Sequence, residues 1–195
     1  MAAERGPVVL VSGPAGAGKT SVVDHLARTM GRPAVHVSLD DVRDMVKCGY
    51  ANPEDGWSPS AERQYELARA TCADLARRYT AAGYFCFVDD AVFPDWPEVG
   101  LDRWRSELAG LEVGFAVFLP RFDVLVTRNA HRRGTRLLSE DVLRIIHDRM
   151  LPWRDRGVPV IDNSDLSVPE AAEELRRLVR TGEVFAPFNG RTTLP

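Results

Sequence analysis

Lysine is almost missing from this chain. Only Lys19 and Lys47 occur, and arginine supplies the rest of the 25 basic residues. With 28 acidic residues the formal net charge is -3, which gives no global attraction to nucleic acid or to anionic membrane. A long nucleic-acid partner, which would want a basic track, is disfavoured. No apolar run approaches the roughly 20 residues that span a bilayer. The N-terminal apolar run is short and passes at once into a glycine-rich loop, so a secretory leader is not expected either. Cysteine is scarce. Cys48, Cys72 and Cys86 form no CxxC pair and no metal-ligand spacing, and the odd count suits a reducing cytoplasm. There is no internal repeat and no Gly/Pro/Ser-rich linker. The 195 residues, 45% of them hydrophobic, are therefore expected to form a single domain with one core over 1–195.

What is present is an alternation of strand and helix patterns. Short apolar, β-branched runs fall at Val8–Ser12, Ala34–Ser38, Tyr84–Asp89, Val113–Leu119 and Val158–Asp162. Helical patterns fall between and after them, at Lys19–Met30, Asp41–Lys47, Ala61–Ala82, Glu98–Leu108, Arg121–His131, Asp141–Met150 and Pro169–Arg180. Ser58-Pro59 and Ser167 with Glu170 carry helix-start signals. Strands buried on both faces read as continuous apolar runs, and regular alternation with helices implies right-handed crossovers. The expected fold is α/β, a five-stranded parallel sheet flanked by helices. The stretch 181–195 shows no clear period.

The densest signal is Gly13-Pro14-Ala15-Gly16-Ala17-Gly18-Lys19-Thr20, followed by Ser21. It satisfies G-x-x-x-x-G-K-[ST] and lies between a strand and a helix, the context that motif requires. Glycines let backbone N–H groups turn in around a phosphate, and the helix N-terminus adds its dipole. Lys19 is expected to reach the β- and γ-phosphates of ATP, with Thr20 as a ligand to Mg²⁺.

Four other segments should meet this loop beyond the carboxyl ends of the strands, where ligands bind in open α/β sheets. "FVDD" ends the third strand run with Asp89 and Asp90, carboxylates placed to hold Mg²⁺, unless one of them only caps the loop. "VSLDDVR" follows the second, and Asp40 or Asp41 can take the proton of an attacking hydroxyl, or Asp40 can serve as a helix N-cap. Arg43 either steers an anionic acceptor, pairs with Asp44 or lies on a solvated helix face. "RNAHRRGTR" crowds Arg128, Arg132, Arg133 and Arg136 into a candidate lid at about 128–140, which can also be read as a basic solvated turn. As a lid it would put Arg128 near the nucleotide and Arg132 and Arg133 on the transferring phosphoryl group. His131 reads as a surface residue. "VIDNSD" places Asn163 and Ser164 where they can border the base. The loops at about 49–60 and 91–104 hold Tyr50, Trp57, Phe93, Trp96 and Trp104, with Glu54, Asp55 and Asp95. They read as the acceptor side, where Asp41, Asp90 and the aromatics can contact substrate.

The order P-loop, "LDD", "VDDAVF", arginine-rich lid and "DNSDLS" resembles the small P-loop kinases over roughly 8–179. The likeness is closest to the chloramphenicol phosphotransferase-like group, and more distant to shikimate, gluconate and zeta-toxin kinases. It implies a nucleoside/shikimate-kinase-like P-loop fold, with Asp40 at the position of that group's proposed base. The lid arginines of such kinases fall on Arg128, Arg132 or Arg133. The expected activity is ATP- and Mg²⁺-dependent transfer of the γ-phosphoryl group to a hydroxyl of a small molecule, such as an antibiotic or other natural product. The alternative is a regulatory nucleotide-binding ATPase or switch, which the missing N-K-x-D guanine signature and the lid disfavour. A motor or AAA-type ATPase is set aside because the chain lacks room for an added helical assembly domain.

Overall fold

A computed structural model describes residues 5–53, 56–131 and 137–189. Five parallel strands run β1 (Val8–Ser12), β2 (Ala34–Ser38), β3 (Phe85–Asp89), β4 (Val113–Phe118) and β5 (Val160–Ile161), in the order β2-β3-β1-β4-β5. Every residue of β1, β3 and β4 is buried. That burial explains why their sequences read as unbroken apolar runs rather than as alternation. Side chains still alternate in direction: Val8 and Leu10 enter one core layer, Val9 and Val11 the other.

Helix α3 (Pro59–Ala81) and helix α4 (Leu101–Glu107) cover the first face, contributing Ala68, Cys72, Ala76 and Trp104. Helix α1 (Lys19–Arg28) and helix α7 (Val168–Thr181) cover the second, with Val22, Val23 and Leu26 beside Ala171, Ala172 and Leu175. Ser58 caps α3 and Ser167 caps α7, the latter in a complete capping box with Glu170, as their spacing suggests. The buried Cys72 and Cys86 thiols are pushed up to about 12 by desolvation, so both act as small apolar residues.

The junction after β3 ties the first layer together. Asp90 is buried; it accepts from Trp104 Nε1 at 2.8 Å and from Ala91 N at 2.6 Å. Burial raises its pKa above the ordinary carboxylate range. Arg69 of α3, also buried, donates to Glu98 O at 3.0 Å and holds the start of the same segment.

Four elements depart from their sequence patterns. Helix α2 (Leu39–Arg43) starts two residues before Asp41 with Ser38 at its N-cap, so Asp40 lies in the first turn and does not cap it. The pattern at 98–108 splits into a 3-10 turn at Pro97–Val99 and α4, broken at Gly100, where a Cβ would come 2.9 Å from Trp96 O. The edge strand β5 is two residues long. Of the stretch 181–195, the described part forms a 3-10 turn at Glu183–Phe185 and helix α8 (Ala186–Asn189), where Val184 buries itself against the bare backbone of Gly114; residues 190–195 lie outside the described residues. Helices α5 (Phe122–Asn129) and α6 (Glu140–Met150) complete the second half.

Trp104→Phe keeps an aromatic ring but deprives Asp90 of one of its two donors. A loss of about 1–3 kcal/mol is expected from urea unfolding. An unchanged midpoint would show that this hydrogen bond does not hold the layer together.

Candidate active site

The carboxyl ends of the strands open into one cleft of about 890 Å³. The loop from Gly13 to Thr20 forms one flank. At Gly13 (φ 145°) a Cβ would lie 2.2 Å from Phe118 O, so only glycine lets the loop pass over the end of β4. Gly16 and Gly18 take φ values of 80° and 87°, again open to glycine at little cost. Lys19 Nζ donates to Gly13 O at 2.7 Å and to Pro14 O at 3.2 Å, folding over the loop it follows. Gly16, Gly18, Lys19, Thr20 and Ser21 line the cleft together with Ala15. Gly13, Pro14 and Ala17 do not, and serve as the backbone that shapes it. A concave glycine turn with a lysine at the start of a helix has the form of a phosphate cradle.

Beside it, Thr20 Oγ1 donates to Asp89 Oδ1 at 3.3 Å. A hydroxyl and a carboxylate brought this close suit a hard, oxygen-seeking cation such as Mg²⁺. Among the described residues no group of three His, Cys, Asp or Glu side chains could hold a metal unaided. Such an ion would therefore need phosphate oxygens to complete its shell. Asp89 is further held by Ser38 Oγ at 3.3 Å and His36 Nε2 at 2.5 Å. Neither residue stands out in the sequence. They become neighbours of Asp89 only once β2 is known to pair with β3, with Ser38 opposite Asp89.

The two adjacent carboxylates expected to bind metal part company here. Asp89 lines the cleft, while Asp90 turns into the α4 layer with both oxygens engaged by Trp104 and Ala91. The metal and substrate roles expected of Asp90 do not fit that position. Likewise Asp40 lines the cleft and Asp41, one residue on, does not. The Asp40 side chain is 63% exposed.

Arg43 is the surprise of the opposite flank. Its side chain is only 4% exposed, lying 3.9 Å over the Tyr65 ring and 5.1 Å from that of Tyr50. One guanidinium nitrogen stands 3.9 Å from Asp40 Oδ1, and Nη2 donates to Ala51 O at 3.4 Å. The solvated helix face is thus ruled out. Gln64 pins the same loop by donating to Gly49 O at 2.7 Å and accepting from Ala51 N at 3.0 Å. Trp57, Tyr65, Phe93 and Trp96 continue the wall through ring contacts of 4.9–5.4 Å. Arg43 Nε and Trp57 Nε1 are buried donors without a hydrogen-bond partner, both on residues lining the cleft. Asp95 instead pairs with Arg156, and Trp104 belongs to the core. Glu54 and Asp55 lie outside the described residues.

At the far end Arg128 Nη2 donates to Asn163 O at 2.8 Å, and Nη1 to Ala17 O at 3.4 Å. Asn163 Nδ2 donates to the same Ala17 O at 2.8 Å. These bonds lock the loop after β5 onto the glycine turn, and both residues line the cleft. Ser164 does not line it. Its hydroxyl donates to Asp162 and accepts from Arg121 N at 2.8 Å, a loop-shaping role. Asn129 joins the two ends of the arginine-rich segment, donating to Leu138 O at 2.8 Å and accepting from Leu138 N at 3.2 Å. Arg132, Arg133 and Arg136 lie outside the described residues. His131 is exposed, with Nδ1 at 2.9 Å from Thr127 O. The cleft wall after this segment comes from Val142, Ile145, Ile146 and Arg149 of α6, a helix face the motifs do not announce.

The sheet order, glycine loop and cleft define a P-loop nucleotide-binding α/β fold. A family model described as AAA domain matches residues 8–156, and the chain belongs to that family. That match is consistent with the small P-loop kinase resemblance carried by the motifs. Shikimate kinase from Acinetobacter baumannii, in complex with shikimate, superposes with a TM-score of 0.62 at 17% identity, covering 93% of this chain and 97% of its own. A gluconokinase from Sinorhizobium meliloti 1021 gives 0.59 at 19% identity, covering 92% and 96%. Among curated proteins, Lon protease 1 of Sorangium cellulosum is 51% identical over 43 residues, 22% of this chain. The match spans only 5% of that relative's length. Among the described residues no helix is long and apolar enough to cross a membrane.

If the glycine turn cradles phosphates, Lys19→Ala should weaken ATP binding by about 10–100-fold, the worth of a charge-assisted hydrogen bond. Titration calorimetry against ATP reads this directly, and unchanged affinity would remove the loop from the binding site.

Proposed function

We propose that this protein is an ATP- and Mg²⁺-dependent phosphotransferase that moves the γ-phosphoryl group to a hydroxyl of a small molecule. One observation carries the reading: a single cleft has the phosphate cradle on one flank and Asp40, Arg43 and an aromatic wall on the other. A binding switch or a simple hydrolase needs only the first flank. The kinases that share the fold support the same reading at the level of architecture.

In this scheme Lys19 and the loop's N–H groups hold the phosphates, and Arg128 with Asn163 keeps the loop in shape. Mg²⁺, held by Thr20 and Asp89, would neutralise charge shared between the β- and γ-phosphates. The acceptor oxygen forms a bond to the γ-phosphorus as the bond to the β–γ bridging oxygen breaks. The hydroxyl proton passes to an Asp40 carboxylate oxygen, and ADP leaves. Asp40 can do this because it remains open to the cleft. On the acceptor side, the rings of Tyr50, Trp57, Phe93 and Trp96 suit an apolar or cyclic face. The Arg43 guanidinium suits an anionic or polar substituent. Arg132 and Arg133, from the neighbouring segment, would stabilise charge on the phosphoryl group in transit and help to exclude water. An antibiotic or other natural product remains the acceptor class proposed, in a cytoplasmic setting and without a nucleic-acid partner. We take residues 1–195 as one functional domain.

The experiment is ATP turnover with Mg²⁺ across chloramphenicol, nucleoside and aminocyclitol antibiotics, shikimate, gluconate and nucleotide sugars, with products followed by mass. One added phosphoryl group on a member of the panel is expected, with little ATP loss in its absence. Rapid ATP loss without any acceptor would favour the ATPase reading. On the reactive acceptor, Asp40→Asn should slow transfer on the order of 100-fold or more while ATP affinity holds. Asp41→Asn should change little. A reversed pattern would move the base to Asp41.

A further inference from the structure

Asp89 is held from more sides than a metal-binding carboxylate strictly needs. Thr20 Oγ1 and Ser38 Oγ both approach Oδ1, each at 3.3 Å, while His36 Nε2 meets Oδ2 at 2.5 Å. The His36 and Asp89 side chains are 13% and 3% exposed, so little water competes for this bond. An ionised carboxylate only accepts, so Nε2 carries the proton and donates. His36 and Ser38 sit two apart on β2 and therefore on one face, and the strand register sets Ser38 directly opposite Asp89. With one oxygen fixed by the imidazole and the other shared by two hydroxyls, the carboxylate has no freedom to rotate away from Thr20.

We infer that His36 is a positioning residue for the divalent cation that accompanies the nucleotide. It acts through Asp89: by holding Oδ2 it keeps Oδ1 and Thr20 Oγ1 as a preset pair of oxygen ligands. The inference rests on the proposed nucleotide site. Groups that orient a metal's direct ligands typically govern about 10–100-fold in metal affinity when removed. A residue that merely fills space in the second core layer would alter stability and leave the cation's affinity alone.

The test compares wild type with His36→Ala, His36→Phe and His36→Gln. Phenylalanine keeps the ring volume without a donor, and the glutamine amide can donate to Oδ2. Each protein is first titrated with ADP in EDTA, and Mg²⁺ is then titrated into the ADP complex by calorimetry, with thermal unfolding as a control. Mg²⁺ affinity should fall ~10–100-fold in the phenylalanine and alanine variants, with metal-free ADP affinity within about twofold of wild type. The glutamine variant should recover most of the loss. Should alanine fail to fold, phenylalanine carries the comparison. Mg²⁺ affinity equal to wild type in a folded phenylalanine or alanine variant would overturn the inference, as would a glutamine variant as weak as phenylalanine. If wild type binds no ADP at all, the nucleotide reading fails and this inference with it. ADP binding with unchanged Mg²⁺ affinity defeats the role of His36 alone.

Discussion

The site depends on one geometric constraint, the divergence of two consecutive carboxylates at the end of β3. Asp89 faces the cleft, where Thr20, Ser38 and His36 converge on it. Asp90 faces the opposite layer, where Trp104 and the Ala91 N–H hold it. A strand directs successive side chains to opposite faces, so a single peptide unit joins the nucleotide flank to the α4 core. Asp90 N also donates to Val11 O at 3.1 Å, which ties this turn to the strand that launches the glycine loop. Moving any of these groups would displace the cleft's carboxylate and the loop together.

A second constraint operates on the flank opposite the glycine loop. Burying a guanidinium is costly unless its charge and donors find partners. Arg43 offsets part of that cost with two tyrosine rings, the Ala51 carbonyl and the neighbouring Asp40, while its Nε keeps no hydrogen-bond partner. The loop that supplies Tyr50 and Ala51 is itself pinned by Gln64, so the charge is held in place rather than left to sweep through solvent. An immobile cation beside an accessible carboxylate and an aromatic wall is a recognition surface of mixed character. Under the proposed function it would discriminate among acceptors by both ring shape and charge.

Much of this was legible in the sequence, for reasons that also show where legibility ended. The runs of β1, β3 and β4 were readable because strands buried on both faces leave continuous apolar stretches, and the glycine loop because its backbone demands glycine at Gly13 and Gly18. Lys19 and Thr20 followed from the glycine-loop motif, Asp40 and Asp89 from their places at strand ends. Strand order could not be read, and with it went His36 and Ser38, which matter only because β2 lies against β3. Spacing likewise could not tell Asp89 from Asp90, since the difference is set by a tryptophan fourteen residues away. A solvated helix face stayed open for Arg43, beside a steering role and a pair with Asp44, because its burial comes from Tyr65 on another helix. The segment after α7 seemed without order because its anchor is a missing side chain, at Gly114.

The central claim is that this cleft hands a phosphoryl group to an acceptor and not to water. It is tested most directly by running ATP turnover in ¹⁸O-enriched water with Mg²⁺ and a metabolite extract, then weighing every phosphorylated product. Phosphoryl transfer to an organic hydroxyl takes no oxygen from solvent. The account predicts a phosphorylated small molecule free of the heavy label, with little labelled inorganic phosphate. Inorganic phosphate carrying one solvent oxygen as the main product, whatever the extract contains, would contradict it.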